Sequence, residues 1–115
     1  MKELLDQYDP CPLECDGLTR VIHTVLDREG IEHTCFIGQI TDTSQQKSFA
    51  PHFWIELPDH TIIDYRARMW LGDRPEIPHG IFNPSDYQNM IYEGNAADLE
   101  PLSQPLFNIL IGKSP

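Results

Sequence analysis

The chain has 115 residues, 40% hydrophobic and 23% charged, a size and balance that predict one domain with a single modest core. Eighteen acidic residues against eight basic ones give a net charge of −10, so most of the surface repels a phosphate backbone and nucleic acid is not an expected partner. No apolar run reaches the roughly 18 residues of a membrane span, and the start, Met1-Lys2-Glu3-Leu4-Leu5-Asp6, lacks a signal-like apolar core.

In chain order, residues 1–14 read as a short polar lead broken by Pro10 and Pro12. A helix follows. Leu18, Val21, Ile22, Val25 and Leu26 recur at i, i+3, i+4, i+7 and i+8 and form one apolar stripe. Its start falls between Pro12 and Asp16, and Gly30 ends it. Cys15 therefore lies in or beside the first turn, at the stripe's edge. Ile31 to Thr41 reads as a strand, Thr41 to Ala50 as a polar loop, and His52 to Leu57 and Thr61 to Arg68 as two further strands around a turn at Pro58-Asp59-His60. Beyond Gly72 the pattern weakens. Ser85 to Tyr92 reads as a short helix, and Ser103 to Ile111 as a helix or a last strand. The expected class is α+β, one main helix packed on an antiparallel sheet. Residues 1–115 form a single domain, with a catalytic-type core at about 11–70 and an irregular segment at 73–115.

The chemistry concentrates in Cys15, His52 and Asp64. A helix N-terminus carries about half a positive charge, which favours a thiolate, and a nearby imidazolium favours it further. Gly17 removes a side chain from the first turn, which lets a substrate backbone approach. The hairpin supplies a geometric condition. If Leu57 pairs with Thr61 across a three-residue turn, Trp54 lies opposite Asp64 and His52 opposite Arg66. His52 and Asp64 are then diagonal neighbours on one face, within side-chain reach. An even-numbered turn puts them on opposite faces unless a bulge corrects it. With the geometry met, Asp64 fixes the imidazole tautomer and the other nitrogen of His52 faces Cys15 as base or ion-pair partner. The backbone N–H of Cys15 is one oxyanion donor, and Gln7 or Tyr8 is a candidate for the second.

These features resemble the transglutaminase-like branch of the papain-like cysteine proteases and acyltransferases. Cys15 at a helix start, His-Phe-Trp-Ile-Glu-Leu at 52–57 and Thr-Ile-Ile-Asp-Tyr-Arg at 61–66 carry the resemblance, which covers about residues 11–70. Cys-Asp-Gly-Leu at 15–18 also resembles the Cys-Ser-Gly-Leu start of bacterial cell-wall peptidases. The resemblance implies a papain-like fold, catalytic positions at Cys15, His52 and Asp64, and Trp54 as a neighbour of the site.

The resulting expectation is an amide or peptide hydrolase, or an acyltransferase, working through a thioester on Cys15. Its substrate is a peptide, a protein or an amide-containing small molecule, and it needs no metal or organic cofactor. Three cysteines, an odd number, predict reduced thiols in a cytoplasmic protein that engages neither membrane nor nucleic acid. The alternative is a non-catalytic binding domain that keeps the papain-like fold and presents residues 73–115. Cys11 is the rival nucleophile. Cys11, Cys15 and His52 make a poor zinc set, because no second tightly spaced ligand pair accompanies Cys-x3-Cys. Cys35 is expected in the core, Arg66 at the surface, and His23, His33, His60 and His79 in solvent.

Overall fold

A computed structural model, which describes residues 1–112, places helix α2 at Cys15–Arg28. Gly30 ends it with φ +68°, a left-handed conformation that glycine adopts without a Cβ penalty. Leu18, Val21, Ile22, Val25 and Leu26 are all buried. They pack with Cys35, Ile55, Ile63 and Tyr65 from the sheet. Each such aliphatic side chain contributes about 1.5–3 kcal/mol by leaving water.

Among the described residues five antiparallel strands form one sheet in the order β4-β3-β2-β1-β5. They are β1 (Thr34–Asp42), β2 (Lys47–Glu56), β3 (Ile62–Asp64), β4 (Gly80–Phe82) and β5 (Met90–Ala96). The fold is α+β. Among the described residues four α-helices accompany the sheet where one main helix was expected: α1 (Lys2–Asp6), α2, α3 (Ala67–Leu71) and α4 (Gln104–Leu110).

Four further expectations need correction, the first being the short helix at Ser85 to Tyr92, where a 3-10 turn at Pro84–Asp86 is followed by β5 from Met90. The polar loop at 41–50 is mostly strand, because β2 begins at Lys47 and Phe49 pairs with Ile40. Most residues of its first half are exposed, so no apolar alternation marks it. The strand expected to reach Arg68 ends at Asp64, and α3 follows, burying Ala67 and Leu71 one turn apart. The segment 73–115 is not irregular across its described part, since it supplies β4, β5 and α4; residues 113–115 lie outside the described residues. In α4, Ser103 caps the N-terminus by accepting from the Leu106 N–H, and Phe107 is buried.

The β2–β3 turn has three residues. The Leu57 N–H donates to the Thr61 carbonyl at 2.9 Å, and Ile55 pairs with Ile63 and Glu56 with Ile62. His60 adopts φ +71° in the turn, and the Asp59 carboxylate accepts the Thr61 N–H. Continued by one residue, this register sets Trp54 across from Asp64, where β3 ends; Arg66 caps the start of α3 and does not continue the ladder to His52.

The sheet is strongly curled. β5 and β3 are separated by β2 and β1, a span of about 14 Å in a flat sheet at the usual strand spacing. The Tyr92 hydroxyl on β5 nevertheless donates to Asp64 on β3 at 2.8 Å. Tyr92 also meets Phe82 of β4, the opposite edge strand, with ring centroids 6.0 Å apart. Ile40, Trp54, Ile62, Phe82, Leu71 and Ile77 fill a second apolar cluster. By strand alternation, Ile62 belongs to the face opposite Ile63, which packs with α2. Gly38 on β1 and Gly94 on β5 lie opposite each other so closely that a Cβ on Gly38 would stand 1.9 Å from the Glu93 carbonyl oxygen.

Candidate active site

His52 is completely buried, Asp64 is 4% exposed and Cys15 is 7% exposed. The His52 Nε2 and the Asp64 Oδ2 are 2.7 Å apart, the diagonal pairing that a three-residue turn requires. Asp64 has further donors: the Tyr92 hydroxyl reaches Oδ2 and the Arg66 backbone N–H reaches Oδ1 at 2.9 Å. Three groups from β2, β5 and the residues after β3 thus hold one carboxylate, and its orientation in turn fixes the ring.

The remaining imidazole nitrogen, Nδ1, is buried and has no hydrogen-bond partner among the described residues. With Nε2 taken by Asp64, it is the nitrogen left for the Cys15 thiol. Burial disfavours a charge on this ring. The hydrogen bond to Asp64, with the Asp64 carboxylate and the Cys15 sulfur close to the ring, outweighs it and raises the His52 pKa to about 9. The imidazole is therefore held as a cation at neutral pH, beside the sulfur.

Cys15 is the first residue of α2, and the Glu14 side chain does not cap that end. The first intrahelical backbone bond runs from the Leu18 N–H to the Glu14 carbonyl, and the Asp16 carboxylate accepts the Gly17 N–H at 2.8 Å, so the N–H groups of Cys15 and Asp16 are the ones the helix leaves without internal acceptors. Those donors, with the dipole behind them, suit a developing negative charge. The space beside Gly17 is not kept for a substrate. Leu13 fills it, and a Cβ there would contact that side chain at 3.4 Å.

Arg66, expected at the surface, is buried. Its guanidinium donates to the carbonyls of Asp9, Cys11, Leu13 and Tyr65 at 2.6–2.9 Å and to the Asp9 carboxylate at 2.7 Å. One side chain therefore ties the segment leading into Cys15 to the residue beyond Asp64. The hairpin register hinted at this, because Arg66 shares the strand parity of His52 and Asp64. Its acceptors, though, are backbone carbonyls that residue types do not reveal. Tyr92 carried no signal at all, since only the curl of the sheet brings it to Asp64.

The other expected residues sit elsewhere. Gln7 donates to the Leu4 carbonyl within its own turn, and the Tyr8 ring packs edge-on against Phe107 at 5.9 Å. Trp54 is buried, points its indole N–H at Glu56 and stacks on His52 with centroids 6.2 Å apart. Phe49 meets the His52 ring edge-on and stacks on Trp70 at 4.0 Å, walling the imidazole. The Cys11 thiol faces the Ile111 carbonyl at 3.8 Å. Burial pushes the Cys35 thiol up to about 11, which leaves it protonated at neutral pH. A groove of about 700 Å³ runs beside the lead into α2, between Pro12, Leu13 and Glu14 on one side and Arg68, Met69 and His79 on the other. Neither Cys15, His52 nor Asp64 lines it.

Among the described residues no helix is long and apolar enough to cross a membrane. Comparison with protein-family models, with curated proteins and with solved structures finds no match to this chain.

Proposed function

We propose that this protein is a cysteine-dependent acyl-bond enzyme of papain-like, transglutaminase-like architecture, built around α2 and the curled sheet. The observation that carries the reading is the fully buried His52, bonded through Nε2 to a carboxylate and held cationic beside a helix-opening cysteine. In this reading the Cys15 thiolate attacks the carbonyl carbon of an amide. The oxyanion is received by the Cys15 N–H at the open end of α2. His52 passes its proton to the departing amine, and a thioester to Cys15 remains. Water or a second amine, deprotonated by the now neutral His52, then attacks the thioester, releasing the acyl product and restoring the thiolate. Asp64 keeps the ring in place throughout. The substrate is a peptide, a protein or a smaller amide.

One observation favours a second reading, a binding domain that keeps the fold without turnover. The three residues are nearly closed to solvent, and the large groove passes beside them without including them. An activated ester separates the two readings. Incubation with 4-nitrophenyl acetate should add one acetyl group at Cys15, removable by hydroxylamine, as read by intact and peptide mass spectrometry. Cys11→Ala should label normally and Cys15→Ala not at all, with His52→Ala strongly slowed. Labelling spread evenly over the cysteines, or indifferent to His52, sinks the enzyme reading.

A further inference from the structure

A second cysteine–histidine cluster lies further along α2. His23 on α2, His33 just before β1 and Cys35 on β1 bring one ligand atom each to within 4.8 Å of one another. Both rings are half-buried and Cys35 is buried. Sequence reading put the two histidines in solvent; the fold instead turns them toward each other, because the link between α2 and β1 folds back onto the helix.

The hydrogen bonds fix what the rings present. The His23 Nε2 lies 2.7 Å from the Leu99 carbonyl, and the His33 Nδ1 lies 2.7 Å from the Ile31 carbonyl. A carbonyl only accepts, so both of these nitrogens carry their hydrogens. The nitrogens that remain, His23 Nδ1 and His33 Nε2, are then bare in the neutral rings. They face each other at 2.7 Å. Two lone pairs do not approach so closely without something positive between them. The choices are an extra proton or a cation. A histidine that donates its second N–H to a backbone carbonyl is oriented as metal-bound histidines usually are. Here two such rings converge, and a thiol stands beside them.

We infer that His23, His33 and Cys35 form a binding site for a divalent zinc-like cation that clamps α2 to the start of β1. Two imidazole nitrogens and a thiolate are a donor set suited to zinc, with water completing a tetrahedron from the open side. On binding, the Cys35 thiol releases its proton to solvent. Tetrahedral zinc sets its ligand atoms about 3.3–3.6 Å apart. The two rings therefore separate by about 0.6 Å and the sulfur draws in, a small adjustment for a histidine in a link. The site shares no residue with Cys15, His52 and Asp64 and does not depend on the proposed acyl chemistry.

Cobalt makes the test direct. Chelator-stripped protein titrated with Co²⁺ should take up one equivalent. It should develop the visible bands of tetrahedral cobalt and a thiolate-to-cobalt band in the near ultraviolet, all erased by Zn²⁺. Cys35→Ser should remove the thiolate band. His33→Ala, outside the regular elements and checked for folding by circular dichroism, should weaken zinc by more than the roughly 10–100-fold that loss of an outer-shell partner costs. Competition with a chromophoric chelator reads that change. Absence of stoichiometric binding would leave the rings sharing a proton and would overturn the site. So would a thiolate band that survives Cys35→Ser but is lost in Cys11→Ser or Cys15→Ser.

Discussion

Helix α2 carries a cysteine–histidine meeting at its first residue and another histidine cluster two turns on, and the two differ in what holds the rings. At the first, a carboxylate takes Nε2 of His52, and the ring is a buried cation. At the second, neutral carbonyls of Leu99 and Ile31 take one N–H from each ring, and two bare nitrogens converge. The residue types are nearly the same. The outer partner decides whether an imidazole offers a proton or a lone pair, and with that whether the pocket suits acid–base work or a cation.

Removing the carboxylate is the hardest blow to this contrast. Asp64→Ala leaves the His52 cation, the Tyr92 hydroxyl and the Arg66 N–H without their buried acceptor. Urea unfolding should show a loss of about 3–5 kcal/mol, the usual cost of breaking a buried pair from one side. Asp64→Asn gives His52 a neutral amide partner, much like those at the second cluster, and the ring's NMR titration midpoint should then fall well below 9. A midpoint that stays near 9 would mean that Asp64 is not what holds the charge.

The pH dependence of stability follows from the same ring. Its pKa rises from 6.5 to about 9 on folding, so the folded state holds a proton that the unfolded chain gives up. The stability this contributes, about 3 kcal/mol by linkage, is complete below pH 6.5 and is lost as pH climbs through about 9. Urea midpoints at pH 6.5, 8 and 9.5 measure the decline, and Cys15→Ala should make it shallower by removing one of the groups that favour the cation. The mildest perturbation is Tyr92→Phe. It removes one of three donors to Asp64 and should cost about 1 kcal/mol, leaving the His52 midpoint close to its starting value.

The parts that were legible in the sequence are those set by periodicity and by one turn. The α2 stripe, with Gly30 after it, located the helix and put Cys15 in or beside its first turn; the structure makes Cys15 the first residue. Pro58-Asp59-His60 located a turn and made the shared face of His52 and Asp64 conditional on its having three residues, which the Leu57–Thr61 hydrogen bond supplies. The illegible parts are short or depend on closure. β4 has three residues, and β5 carries Glu93, Gly94 and Asn95, which do not read as strand formers. Its place beside β1 rests on the paired Gly38 and Gly94, whose missing side chains admit the close approach. Arg66 and the His23–His33 pair answer to backbone carbonyls, a chemistry every residue shares and no sequence pattern marks.

The curl of the sheet has a consequence for the order in which the chain emerges. Cys15 is made early, and His52 and Asp64 are complete by mid-chain, yet the carboxylate acquires its last donor only when β5 closes the distant edge and delivers Tyr92. A nascent or truncated chain ending before residue 90 holds all three chemical groups without the finished cradle around Asp64. The far edge of the sheet thus acts as a latch on its centre, and a fragment built from residues 11–70 alone lacks it.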